Sequence, residues 1–287
     1  MLRALLKTMR PRQWTKNVFL FAALVFDDQL FHPIAFLRTL AGFGLFCLIS
    51  SAVYIFNDLL DLEADRQHPV KKNRPIASGR LPVTVAVVAG IVLVLVTLAA
   101  GALLAWQFAL TLLVYFALML AYSKWLKHVL ILDVLILAAG FVLRVHAGTT
   151  LIVVQRFSPW LYVLMSLLAL YLGFGKRRAE LTLLAEDASG HRRVLNGYTI
   201  PLLDQFITIV SGTTIVAYSL YTFFRPAAPE SLMLTIPFVV YAIFRYLYLV
   251  EVKQIGGEPE EILLSDRPFQ ISILLWGLAV MAVFYLA

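Results

Sequence analysis

Hydrophobic residues fall in long unbroken runs along this chain, parted by short polar stretches and without any period-two alternation. A run of roughly 20 apolar residues is what a helix needs to cross a bilayer, and about nine runs approach that length. They lie near residues 17–31, 36–60, 83–105, 107–123, 128–148, 158–177, 202–223, 232–252 and 270–286. The first is short and carries Asp27 and Asp28 near its end. Breaks fall at turn chemistry: His32-Pro33, Arg80-Leu81-Pro82, Ser158-Pro159, Pro226 with Pro229, and Gly256-Gly257. Continuous runs exclude a transmembrane barrel. No loop is long enough for a separate domain, so the pattern predicts one all-α polytopic domain over residues 1–287. Residues 1–16 read as an interfacial arm, with Arg3, Lys7 and Arg10 on one helical face and Leu2, Leu5, Leu6 and Met9 elsewhere.

Composition agrees with that reading. The chain is 61% hydrophobic and 14% charged, with a mean hydropathy of +0.85, which describes a multispan membrane protein rather than a soluble domain. Lys and Arg collect in alternate loops: Arg3 to Lys16, Arg66 to Arg80, Lys124 and Lys127, Lys176 to Arg193, and Lys253 with Arg267. The opposite loops carry Arg38, Arg156 and Arg225. The positive-inside rule then predicts a multi-pass protein of the cell inner (plasma) membrane, with the N-terminus and charged loops cytoplasmic and the C-terminus external. The net charge of +7 is spread over loops facing anionic headgroups, so nucleic acid is not an expected partner. One cysteine, Cys47, sits inside an apolar run and gives no disulfide framework or thiolate metal site.

Charge concentrates in one place, NDLLDLEADRQHPVKKNRPIASG, from Asn57 to Gly79. On a continuous helix Asp58, Asp61 and Asp65 fall within roughly 60° of one another, flanked by Asn57. Carboxylates so placed repel unless a cation sits among them. Hard oxygen donors with room for water and phosphate are what Mg²⁺ prefers, and Arg66, Lys71, Lys72 and Arg74 stand ready for the remaining anionic oxygens. A metal-bridged diphosphate satisfies both halves. The plainer alternative is a solvated helix end that stops the span at the interface.

At these residues the chain resembles the UbiA-type intramembrane prenyltransferases, whose first aspartate motif, NDxxDxxxD, corresponds to Asn57, Asp58, Asp61 and Asp65. The resemblance implies a bundle of about nine transmembrane helices around a central cavity, with Mg²⁺ on the aspartate motif holding a diphosphate at the cytoplasmic end. The chain departs from the aromatic prenyltransferases of that family, which carry a second DxxxD motif after the sixth span. Here Lys176, Arg177 and Arg178 precede a lone Glu180, and Glu186 with Asp187 follow at another spacing. That change, with RPRQWTKN from Arg10 and YSKWLKHVLILD from Tyr122, resembles the branch that moves 5-phosphoribose from phosphoribosyl diphosphate to a polyprenyl (decaprenyl) phosphate for cell-envelope polysaccharide precursors. The resemblance implies substrate contacts from Lys16, Lys127, Lys176, Arg177 and Glu180. Tyr54 and Tyr122 are pocket hydroxyls or aromatic-belt residues.

The chemistry of that branch needs no side-chain base, because the attacking phosphate monoester is already largely anionic at neutral pH, with a second pKa of about 6. Loss of diphosphate from the anomeric carbon builds oxocarbenium character. Prenylation of a 4-hydroxybenzoate-type aromatic ring is the alternative within the family, and a transporter vestibule is the non-enzymatic one. Asp133 and Arg144 are weaker candidates, too far apart along one helix to share a site. His68, His128 and His191 read as solvated, and Asp266 pairs with Arg267 or closes over the site. A homo-oligomer stays open.

Overall fold

The structure is a computed structural model that describes residues 1–155, 157–186, 193–225, 230–253, 262 and 265–285, the side chains of 183–186 and 193 excepted. Among the described residues there is no strand. The helices are α1 (Leu2–Met9), α2 (Phe21–Phe26), α3 (Pro33–Leu60), α4 (Leu62–Gln67), α5 (Val83–Leu104), α6 (Trp106–Lys124), α7 (Leu132–Thr149), α8 (Trp160–Glu186), α9 (Ile200–Phe224), α10 (Ile236–Glu251) and α11 (Arg267–Tyr285). Among the described residues five 3₁₀ segments join or precede them.

Among the described residues seven helical stretches, rather than the nine expected, are long and apolar enough to cross a bilayer. The two that fall short have separate reasons. α8 is long, but Lys176, Arg177, Arg178 and Glu180 occupy its second half. The first expected span is not an α-helix over 17–31. It is a ten-residue 3₁₀ strap, Pro11–Leu20, continued by the six-residue α2 and ended by a turn in which Asp28 has φ 58°. Because a 3₁₀ helix rises about 2.0 Å per residue against 1.5 Å for an α-helix, these sixteen residues reach roughly 29 Å, close to the hydrocarbon thickness.

The chain folds as two compact units: Met1–Lys127 with Gly140–Gln155, and His128–Ala139 with Arg156–Ala287. In the first, α3 packs against α5 and α6, and α1 and the strap lie on α3. Close approach is enforced at Gly148, where a Cβ would stand 2.1 Å from the Leu20 carbonyl oxygen. In the second, α8 packs on α9 and α10 on α11. Its core gathers Val134, Tyr171, Phe174, Leu203, Ile207 and Tyr246.

The interfacial arm differs from its sequence pattern in one respect. α1 ends at Met9, with Thr8 and Met9 buried, and Arg10 turns into the left-handed region at φ 52°, ψ 61° instead of joining Arg3 and Lys7 on one face. Pro11 accounts for the end of the helix at Met9, since the residue before proline is pushed out of the right-handed α region.

Arg156, Asp187, His191, Arg192, Pro226, Pro229, Gly256, Gly257 and residues 286–287 lie outside the described residues, as do the side chains of Glu186 and Arg193.

Candidate active site

The turn after the acids is built from its sequence. In Pro75-Ile76-Ala77-Ser78-Gly79, Ile76 is 1% exposed and packs with Met9, Ile55, Leu81 and Ala86, an apolar plug that fixes the turn on α1, α3 and α5. Gly79 takes φ 76°, where any Cβ would be strained. The Ser78 N–H donates to the Arg74 carbonyl and the Leu81 N–H to that of Pro75, at 2.9 Å each. His68 is not merely solvated: its Nδ1 accepts the Val70 and Lys71 N–H groups at 3.2 and 3.3 Å.

That scaffold delivers Arg74 to the acids. Its Nη1 donates to Asp58 Oδ1 at 3.1 Å and to Asp65 Oδ2 at 2.6 Å. Arg10, brought in by its left-handed backbone, donates from Nη2 to Asp58 Oδ1 at 2.5 Å while lying 4.8 Å from the Tyr54 ring centroid. Lys127 Nζ donates to Asp61 Oδ1 at 2.6 Å. Asp58 and Asp65 are both buried, so these are the charge-assisted bonds that make burial tolerable.

The acids do not share the continuous helix their spacing assumed. α3 ends at Leu60, Asp61 takes φ −91°, ψ 6°, and Asp65 belongs to α4. Among the described residues no three His, Cys, Asp or Glu side chains converge to enclose a metal ion. The donor chemistry nevertheless suits Mg²⁺. Among the described residues no protein donor reaches Oδ2 of Asp58, Oδ2 of Asp61 or Oδ1 of Asp65. Each carboxylate thus keeps a hard oxygen available, and Mg²⁺ completes its shell with water and substrate phosphate rather than with an all-protein cage.

The remaining sequence candidates are placed unevenly. Arg66 pairs with Glu63 on the surface at 2.9 Å instead of with the buried acids. Lys71 is half-buried and Lys72 exposed, while Asn57, Lys16 and Tyr122 are half-buried in the same unit.

In the second unit Arg177 is 2% exposed. Its Nε donates to Asp133 Oδ2 at 2.7 Å and its Nη1 to Glu180 Oε2 at 2.6 Å. The Tyr198 hydroxyl donates to Asp133 Oδ1 at 2.7 Å and accepts the Ile131 N–H at 2.9 Å. Burial, and then the bond to Asp133, push the Tyr198 hydroxyl well above the usual phenol range. Arg178 pairs with Asp204 at 2.6 Å. Arg177 and Arg178, two of the three bases in this run, therefore have carboxylate partners of their own, and Glu180 is a partner of Arg177. Lys176 is half-buried. Asp266 pairs with Arg245, at 2.7 and 3.1 Å, rather than with Arg267, and it accepts the Phe269 N–H at the start of α11. The Arg245 guanidinium holds the Asp266 carboxyl below the usual range.

Residues 18–261 match the model of the UbiA prenyltransferase family. The chain belongs to the UbiA prenyltransferase family. It is 35% identical over 287 residues to decaprenyl-phosphate phosphoribosyltransferase of Mycolicibacterium smegmatis, covering 95% of this chain and 89% of that one. It is 36% identical over 277 residues to the Mycobacterium tuberculosis protein of the same name, covering 94% and 90%. The structure of a UbiA homolog from Archaeoglobus fulgidus bound to GPP and Mg²⁺ superposes with a TM-score of 0.72 at 19% identity, covering 98% of this chain and 99% of that one. The UbiA fold and its apolar helices make this a multi-pass membrane protein.

Arg10 is the site residue that sequence reading passed over. Its signal was the Arg-Pro step, which ends α1 at that point.

Proposed function

We propose that this protein transfers 5-phosphoribose from phosphoribosyl diphosphate to a polyprenyl phosphate such as decaprenyl phosphate, releasing diphosphate, in the making of cell-envelope polysaccharide precursors. The observation that carries the reading is similarity along nearly the whole chain to enzymes named for decaprenyl phosphate and phosphoribosyl transfer. The charge pattern of the first unit supports it.

Asn57, Asp58, Asp61 and Asp65 would hold Mg²⁺, which supplies charge stabilisation for the departing diphosphate. The chain's own cations do the rest. Arg10, Arg74 and Lys127 now occupy the carboxylates, and all three can turn to phosphate oxygens once the carboxylates take other partners. Lys71 and Lys72 stand in the same loop as Arg74. An oxygen of the acceptor phosphate forms the new bond to the anomeric carbon, the bond from that carbon to diphosphate breaks, and its electron pair leaves with diphosphate. No proton has to be removed by a side chain, since the acceptor is already an anion.

The test is the lipid product. Purified protein given Mg²⁺, phosphoribosyl diphosphate and polyprenyl phosphate should yield a lipid heavier by one phosphoribosyl group in the mass spectrum. Prenylation of 4-hydroxybenzoate with no use of phosphoribosyl diphosphate would overturn the reading in favour of an aromatic acceptor.

The cluster is assigned to the cytoplasmic side by the positive-inside rule. A topology reporter inserted after Gly79 should read cytoplasmic, and one at Ala105, between α5 and α6, external. Both on one side would remove this orientation.

A further inference from the structure

Arg144 lies within the apolar α7, 6% exposed, and no carboxylate is among its partners in the described residues. A charged side chain inside a membrane span is costly and marks a function by default. Here the guanidinium is held on every side. Its centre lies 4.9, 5.3 and 5.4 Å from the ring centroids of Tyr115, Phe141 and Phe46, a cation–π surround in a dry setting. Nη1 donates to the Gly140 carbonyl of its own helix at 2.8 Å, and Nη2 to the Tyr115 hydroxyl of α6 at 2.8 Å. Nε donates to Asn17 Oδ1 at 2.9 Å, joining residues 127 positions apart.

Asn17 is the point at which the strap is gripped. It is fully buried, also accepts from Ser50 Oγ at 3.4 Å, and donates from Nδ2 to Cys47 Sγ at 3.3 Å. The strap needs such a grip, because 3₁₀ runs beyond three or four residues have poorer hydrogen bonds and are uncommon. Its ten residues are held near one end by Trp14, whose Nε1 donates to Ser51 Oγ at 3.0 Å, and further along by Asn17. The residue that leads into the strap is Arg10, which reaches Asp58. From Asn17 back to Arg10 is about 14 Å at 3₁₀ rise, a short and stiff lever.

We infer that Arg144 is a positioning residue: through Asn17 it holds the strap in the register that presents Arg10 to Asp58, and so sets the affinity of the aspartate cluster for the donor's diphosphate. This rests on the reading of that cluster as the donor site.

The test uses the full-length protein in detergent with Arg144→Met, Asn17→Leu and Asn17→Asp. Cleavage by trypsin after the exposed Arg12 reports the strap directly and needs no substrate. Steady-state kinetics with phosphoribosyl diphosphate report the site. Losing a hydrogen bond to a charged group should speed cleavage after Arg12 about 10-fold or more in Arg144→Met and Asn17→Leu, and raise the donor KM by a similar factor with kcat little changed. Asn17→Asp keeps the acceptor for Nε and should match the unaltered protein in both measurements. Native cleavage and native KM in folded Arg144→Met, or a fall in kcat alone, would overturn the inference. So would a folded Asn17→Asp with a loose strap, since the grip on residue 17 would then not be what matters. If Arg144→Met does not fold, Asn17→Leu decides. If the protein uses another donor, the kinetic arm fails for every variant including the native chain, whereas cleavage after Arg12 still judges the strap.

Discussion

Asp58→Asn and Asp61→Asn should each abolish transfer at saturating Mg²⁺ while leaving a protein that folds in detergent. Asparagine still offers an oxygen to Arg10 or Lys127, so the bonds that hold the cluster persist in weakened form. The negative charge that a divalent cation needs does not persist. Charge stabilisation by a bound metal is worth several kcal/mol at the transition state, so the fall should reach about 10²- to 10³-fold or more. Product formation by mass spectrometry, together with thermal unfolding of each variant, makes the measurement. Near-normal turnover in either variant would reduce the cluster to a solvated helix end.

The second large effect concerns stability rather than turnover. Arg177→Met should destabilise the protein by about 3–5 kcal/mol, because it leaves Asp133, which is 0% exposed, with a buried and unmatched charge. Tyr198→Phe removes the other donor to Asp133 and the acceptor of the Ile131 N–H, and should cost about 1–3 kcal/mol. Denaturant unfolding in detergent measures both. The sequence alone favours a different outcome for Arg177, a stable variant with a raised donor KM. A stable Arg177→Met with weakened donor binding would restore it to the substrate.

The helices were legible where hydropathy alone decides. α3, α5, α6 and α9 begin and end within three residues of the expected runs, since an apolar stretch flanked by Pro or charge has one way to satisfy its backbone in lipid. Hydropathy does not separate a 3₁₀ helix from an α-helix, so the strap over Pro11–Leu20 was divided in the reading between an interfacial arm up to Lys16 and an ordinary span from Asn17. The site was legible in part for a similar reason. The acids are local in sequence, and their crowding shows in a string of letters. Their partners are not local: Arg10 is 48 positions from Asp58, and Lys127 is 66 from Asp61. Arg177 was read as substrate-facing because Asp133, 44 positions earlier, gave no sign of reaching it. Charge counts along a loop say how many cations are present, and only the packing says which of them already have a partner.

The exchange of partners proposed for Asp58, Asp61 and Asp65 on one side and Arg10, Arg74 and Lys127 on the other would govern binding order. Three negative and three positive charges make the cluster electrically neutral as it stands. A free divalent cation finds little net attraction there, and a free diphosphate finds its cations already engaged. A cation and a diphosphate that arrive together satisfy both halves at once, each releasing the residues the other needs. Their affinities are therefore linked, and by reciprocity each raises the other by the same factor. Titrated alone, magnesium should bind weakly; titrated with the donor present, it should bind tightly. On that proposal the cluster would recognise the complex of the two and be nearly blind to either part.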